Sequence, residues 1–162
     1  VLFSGKLDVR KGYQVVLEAA KRLPEISFRF VVWGDLFDAV DTIKPSNVVM
    51  EKMQSREHLA KAMSDSLVFV FPSMSETFGL AVTEAMRSGC AVVSSIPLPF
   101  LGQYLPTVTT DGFVQALHRL LKNRPETELM GKINLEIASV YTWSRHAEGL
   151  MRIYKNCSDI YL

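Results

Sequence analysis

Between Ser75 and Met86 the chain reads SETFGLAVTEAM, with Glu76 and Glu84 separated by seven residues and Gly79 lying between them. Either glutamate could be a surface charge. A carboxylate near a helix start is favoured by the helix dipole, and one inside the helix can pair with Arg87 at i,i+3 for about 0.3 kcal/mol. A second group is SGKLDVRKG, residues 4–12, where Gly5 is followed by Lys6, Arg10 and Lys11. A glycine turn, unpaired amides at a helix start and cationic side chains together make a site for an anion. The same residues taken alone also describe an ordinary strand-to-helix turn with solvated lysines. A third segment, WGDLFD (33–38), offers a glycine after a strand and little more. His58, His118 and His146 fall in helix-like segments without metal-ligand spacing, so surface or capping roles are expected of them.

The elements that would position these residues follow from hydrophobic patterning. VLF (1–3), FRFVVW (28–33), NVVM (47–50), LVFVF (67–71) and AVVSS (91–95) are short, rich in Val and Phe, and closed by Gly, Pro or Ser. Such runs are what strands buried on both faces look like. Phe28, Phe30, Phe69 and Phe71 alternate within them and are expected in the core. Helical spacing appears over Tyr13–Leu23, over Glu57–Met63, and over Gly79–Ser88 with Gly89 as its stop. The recurring order of strand and helix predicts an α/β fold, a Rossmann-like parallel sheet with helices on both faces. After Ser95 the pattern weakens. IPLPFLGQYLP has too many prolines for a helix, TVTT (107–110) reads as a last short strand, and Asp111 as the cap of a helix to about Asn123. Two more helices are expected near 126–139 and 143–156. In sheets of this kind ligands sit beyond the carboxyl ends of the strands, which is where the charged loops fall.

Composition sets the bounds. At 162 residues the chain suits a single domain, 1–162, and 48% hydrophobic with 22% charged residues is ordinary for a globular protein. Lys+Arg 18 against Asp+Glu 17 gives no overall field to recruit nucleic acid or a membrane, so anion binding has to be local. Cys90 and Cys157 are far apart and lack metal-type spacing, which points to a reducing, cytoplasmic setting. No apolar run approaches the roughly 18 residues of a membrane span. Val1 is not an initiator residue and VLFSG reads as a strand already under way, so a longer chain is expected.

Taken together, SGKLDVRKG, VVWGD and above all VFPSMSETFGLAVTEAMRSGCAVVSS resemble the C-terminal, donor-binding half of the GT-B retaining glycosyltransferases of group 1, also called family 4. The family signature of Glu, seven residues, Glu falls on Glu76 and Glu84. A proline-serine precedes it, Phe-Gly-Leu and Glu-Ala-Met sit within it, and a Val-rich strand follows. YTWSRHAEGLMRIY (141–154) is similar to the family's terminal segment. The resemblance spans nearly the whole chain.

It implies a nucleoside diphosphate sugar as donor, with no metal and no other cofactor, and a glycan or lipid-linked acceptor held by an N-terminal domain that these residues do not include. By the same resemblance Glu84 would hold the ribose diol, since a carboxylate accepts two hydroxyl hydrogen bonds at once, and Glu76 the donor sugar. Gly5, Lys6 and Lys11 would border the diphosphate. Thr77, Phe78, Gly79 and Leu80 would face the sugar and phosphates. Glu76 and Lys11 are the expected catalytic pair, Lys11 acting as charge builds on the leaving diphosphate. A hexosyltransferase of the cytoplasm, peripheral at the membrane as a full-length protein, follows from the resemblance. So does inactivity of the isolated domain.

Two departures from the family pattern qualify these expectations. Lys6 stands where the family often has Arg, keeping the charge without the bidentate fork. IPLPFLGQYLPTVTTDG is shorter than the family's corresponding glycine-rich turn and places Gln103 near an expected acidic position. A non-catalytic GT-B-like binding or regulatory domain is therefore the alternative reading, and a nucleotide-sugar epimerase of the same fold is a more distant one.

Overall fold

The computed structural model describes residues 1–97, 105–106 and 109–158, and among these the five Val- and Phe-rich runs and one further two-residue segment form six parallel strands. The strands are β1 (Leu2–Lys6), β2 (Phe28–Trp33), β3 (Val48–Lys52), β4 (Val68–Phe71), β5 (Ala91–Ser94) and the two-residue β6 (Leu105–Pro106). They lie in the order β3-β2-β1-β4-β5-β6. Registers such as Phe3 opposite Phe30 and Leu2 opposite Phe69 fix which side chains share a face. The chain lays down β1, β2 and β3 in one direction, returns across β1, and continues with β4, β5 and β6 in the other. Loops leaving β1 and β4 therefore diverge and open a crevice between them.

Among the described residues seven α-helices accompany the sheet: α1 (Tyr13–Arg22), α2 (Phe37–Ile43), α3 (Arg56–Ser64), α4 (Leu80–Arg87), α5 (Thr110–Lys122), α6 (Arg124–Ala138) and α7 (Trp143–Ser158). Strand alternation divides the core in two. Phe3, Phe28, Phe30, Val32, Val68, Val70 and Val93 point to the face covered by α1 and α5, where Val16, Ala20, Phe113 and Leu117 meet them. Leu2, Val31, Phe69, Phe71 and Val92 point to the face of α3 and α4, where Leu59, Met63, Val82 and Met86 close the layer. The Phe3 and Phe30 rings lie 5.0 Å apart. Each fully buried side chain of this size contributes roughly 1.5–3 kcal/mol, so both faces must be covered for the sheet to persist. The four alternating phenylalanines are core residues, as their spacing predicts.

Helix ends follow local chemistry. Ser55 caps α3 by accepting from His58 N, and Gly79 and Gly89 take left-handed φ values of 78° and 81° on either side of α4. Asn47 donates its side-chain amide to the carbonyls of Ala20, Leu23 and Ile26 at 2.8–3.0 Å, satisfying the turn after α1. α6 approaches α4 so closely that a Cβ on Gly131 would lie 2.1 Å from the carbonyl oxygen of Gly89. Asn134, one turn further along α6, donates to Cys90 O at 3.0 Å.

The structure differs from the sequence expectations at several boundaries. α2 was not expected, because over its seven residues just Val40 is buried and no helical repeat shows. Among the described residues the last strand is Leu105–Pro106, ahead of the expected 107–110. Thr109 instead caps α5, its Oγ1 accepting from Gly112 N at 3.0 Å, and Thr110 is already helical. Asp111, expected as that cap, lies in the first turn and pairs with Arg22 at 2.6 Å. Thr107, Val108 and Gln103 lie outside the described residues. α7 is present as expected, but nearly every side chain over 141–157 is exposed, with Trp143 at 84%.

Candidate functional site

The crevice between β1 and β4 is built from two loops that hold each other. After Lys6, Asp8 accepts from Arg10 N at 2.8 Å and starts a 3-10 turn over Val9–Lys11. Its carboxylate also receives the Arg10 guanidinium at 3.1 and 3.0 Å, which holds the Asp8 pKa down at about 2. Gly12 ends this turn at φ 70°, and a Cβ there would lie 2.1 Å from the carbonyl oxygen of Pro72. Glycine is thus required twice over, by its backbone conformation and by the approach of the β4 loop. Met74 N donates to Arg10 O at 2.8 Å, so the loops share a backbone hydrogen bond. Ser95 Oγ, at the end of β5, donates to Ser73 O at 2.6 Å and draws a third strand end into the assembly.

Within this frame Lys11 Nζ donates to Glu76 Oε2 at 2.8 Å across 65 residues of sequence. The pair is half-buried, with side-chain exposures of 36% for Lys11 and 20% for Glu76. A cleft of about 200 Å³ beside it is lined by Lys6, Asp8, Arg10, Lys11 and Ser75. Gly79 then turns the chain into α4, whose first turn carries no side-chain cap, leaving its amides at the crevice. Glu84 lies on α4, and its carboxylate accepts no hydrogen bond among the described residues. Desolvation by the surrounding chain raises its pKa, while Arg56 at the start of α3 acts weakly in the opposite sense. The residue as a whole is exposed, so this is the partial desolvation of a rim position, not of a core one. A larger cleft of about 480 Å³ lies at the amino ends of β1 and β2, lined by Val1, Glu25, Ile26, Ser27, His118, Leu121 and Lys122. It lies away from the carboxyl ends of the strands, where the Lys11–Glu76 pair and the start of α4 are found.

The sequence expectations sort accordingly. Lys11, Glu76 and Gly79 come together, and Lys6 lines the cleft. Thr77 and Phe78 are exposed on the connection into α4, Phe78 at 46%, and Leu80 is exposed at 61% as the first residue of that helix. Gly5 lies at the carboxyl end of β1, as expected, where it is buried and pairs with Val32. Arg10 does not present a free charge to an anion, because Asp8 engages it. His58 has a surface partner, its Nε2 lying 2.7 Å from Glu51, which Arg29 also grips at 2.8 and 2.9 Å. Among the described residues no cluster of three His, Cys, Asp or Glu side chains could hold a metal ion. The glycine of WGDLFD, given little weight from sequence, proves to matter: Gly34 has φ 111°, and its lack of a side chain leaves room for the Lys6 stem, since a Cβ there would lie 3.3 Å from Lys6 Cγ. Sequence reasoning missed Asp8, although Asp followed at i+2 by Arg is a recognisable turn signal.

Fold and site together define an α/β domain with an anion-competent crevice at the reversal of strand order. Its sequence matches the family described as glycosyl transferases group 1 over residues 1–136, and the chain belongs to that family. The sulfoquinovosyl transferase SQD2 of Arabidopsis thaliana is 30% identical over 156 residues, covering 88% of this chain and 30% of its own length. The chain thus spans about a third of that relative. Among solved structures, sucrose-phosphate synthase from Thermosynechococcus elongatus superposes with a TM-score of 0.80 at 21% identity, covering 98% of this chain and 46% of that one. The pneumococcal O-GlcNAc transferase GtfA, solved with UDP and GlcNAc, superposes with a TM-score of 0.71 at 21% identity, covering 96% and 35%. The Rossmann-like half of a GT-B fold expected from the sequence is the fold observed.

Proposed function

We propose that this domain binds a nucleoside diphosphate sugar in the β1–β4 crevice and, within a longer chain, presents it for transfer of a hexose to a glycan or lipid-linked acceptor with retention of anomeric configuration. The observation that carries the reading is the meeting of Lys11 and Glu76 at the crevice, beside the uncapped start of α4. Lys11 and Lys6 neutralise the diphosphate, an interaction that strengthens as negative charge builds on the leaving group. Glu76 accepts hydroxyls of the donor sugar. Backbone amides near Gly79 and Leu80 complete the phosphate contact, with Thr77 and Phe78 bordering the sugar. Glu84 takes the ribose diol. Its raised pKa and the lack of a hydrogen-bond partner for its carboxylate among the described residues are what an acceptor waiting for hydroxyl donors would show.

The reaction needs no metal in this reading, because lysine charge and helix amides do the work of charge neutralisation. The acceptor and the remaining catalytic groups belong to the other domain, so the 162-residue chain alone transfers no sugar. A cytoplasmic setting fits two free cysteines. Peripheral association with a membrane belongs to the same reading where the acceptor is lipid-linked, and among the described residues no helix is long and apolar enough to cross one.

Calorimetry with UDP, GDP and ADP, each with and without an attached sugar and in the presence of a chelator, tests this directly. We expect weak binding of one base series, unaffected by the chelator. No heat from any of them at millimolar concentration would overturn the reading. NMR of the product formed by the longer chain tests retention.

A further inference from the structure

We infer that the Lys11–Glu76 ion pair makes the site select a sugar-loaded nucleotide over the bare nucleoside diphosphate, so that the pair distinguishes substrate from product. The inference rests on the donor-site reading above. Lys11 and Glu76 occupy each other at 2.8 Å, while each is also assigned to a different part of one ligand. Among the described residues, Glu76 has apart from Lys11 one further hydrogen bond, from Thr77 N at 3.4 Å, too long to satisfy a carboxylate. Both side chains are half-buried, so neither can turn freely to water when it loses the other.

A bare diphosphate draws Lys11 away and brings its own negative charge beside Glu76. The carboxylate then loses its cation, faces an anion, and gains no donor. A half-buried charge left unpaired in this way is penalised far more than the surface pair is worth. A nucleotide sugar takes Lys11 with its phosphates and offers hydroxyl donors to Glu76, so both partners exchange one contact for another. The pair therefore opposes the ligand that engages Lys11 alone. Once the sugar has left, the released diphosphate is held against the tendency of Lys11 and Glu76 to rejoin, and the pair assists its departure.

The test is calorimetry on the parent, Glu76→Gln, Lys11→Met and the double variant, with whichever of UDP, GDP or ADP the parent binds and with the matching nucleotide sugar. Removing the Glu76 charge should tighten bare diphosphate binding threefold or more while weakening the nucleotide sugar. In the Lys11→Met background the tightening of the bare diphosphate should shrink, because no ion pair is left to break, whereas the weakening of the nucleotide sugar, which follows from the hydroxyl contacts of Glu76 itself, should remain. Unfolding midpoints and circular dichroism of all four proteins establish that they fold alike, Glu76→Gln being isosteric. If Glu76→Gln leaves diphosphate affinity unchanged or lowers it while the parent binds normally, the selection idea falls and the donor site stands. If the parent binds neither ligand, the donor site falls and takes this inference with it.

Discussion

The two arms of the crevice are built in opposite ways. The loop arm, residues 7–12 and 72–79, is held by contacts between segments remote in sequence: Gly12 against Pro72, Met74 N on Arg10 O, and Lys11 on Glu76. The helix arm, α4, is held by its own buried face of Val82, Ala85 and Met86 and by a left-handed glycine at either end. In the first arm the functional side chains are spoken for by one another. In the second, Glu84 projects from α4 with its carboxylate unengaged by any described residue. One arm has to rearrange on binding and the other is preorganised, so substitutions in the two should leave different traces.

The largest effect is expected from Gly12→Ala. A side chain at φ 70° costs about 1–2 kcal/mol and the collision with Pro72 about 1–3 more. Denaturant titration should show a loss of stability on that scale, and diphosphate affinity should fall further than stability alone accounts for, since the loop arm is what shifts. Unaltered stability would mean that the two loops are not held together as described. Next, Lys11→Ala should weaken diphosphate binding by roughly 1.5–3 kcal/mol, the range for hydrogen bonds to charged groups, while affinity for the nucleoside barely changes. Equal losses for both ligands would erase the distinction between the arms.

Glu84→Gln should cost up to a similar amount with a ribonucleotide and little with its 2′-deoxy analogue, where the second hydroxyl contact is already missing. A matched loss on both would remove Glu84 from the ribose. The smallest effect separates function from stability. Because desolvation raises the Glu84 pKa, ionising it costs the folded state at neutral pH, and the cost vanishes once pH falls below the unfolded value of about 4.3. Glu84→Gln should therefore raise the thermal midpoint slightly at pH 7 and leave it unchanged at pH 3. A lower midpoint at pH 7 would mean that the carboxylate serves the fold.

How much of this the sequence carries depends on the range of the interaction. Strands β1 to β5 were legible because burial on both faces enforces uninterrupted Val and Phe, and α4 because glycines mark both its ends. α2 was not, since one buried residue leaves no periodicity to read. Asp111 was misplaced because Thr109 and Asp111 are both good caps, and the contact with Arg22, 89 residues away, decides between them. In the site, the glutamate spacing put Glu76 in the connection after β4 and Glu84 on the following helix, and those are the elements that carry them. It could not show that Arg10 is engaged by Asp8, nor that Lys11 reaches Glu76, because such pairings depend on how two loops face each other.

The contact between Gly131 and the Gly89 carbonyl bears on recombination between relatives of this family. Exchange of whole elements is tolerated where side chains can readjust, but here one backbone rests on another with no side chain to give way. A chimera joined between β5 and α5 would inherit the α4 turn from one parent and α6 from the other. Such a hybrid would keep its packing where the second parent also has glycine at the position of Gly131, whatever the overall identity of the pair. Where a larger residue stands there, α6 would lift from the sheet together with the Asn134 contact to Cys90. Useful crossover points should accordingly lie before β4 or after α6, with the segment between them passed on as one block.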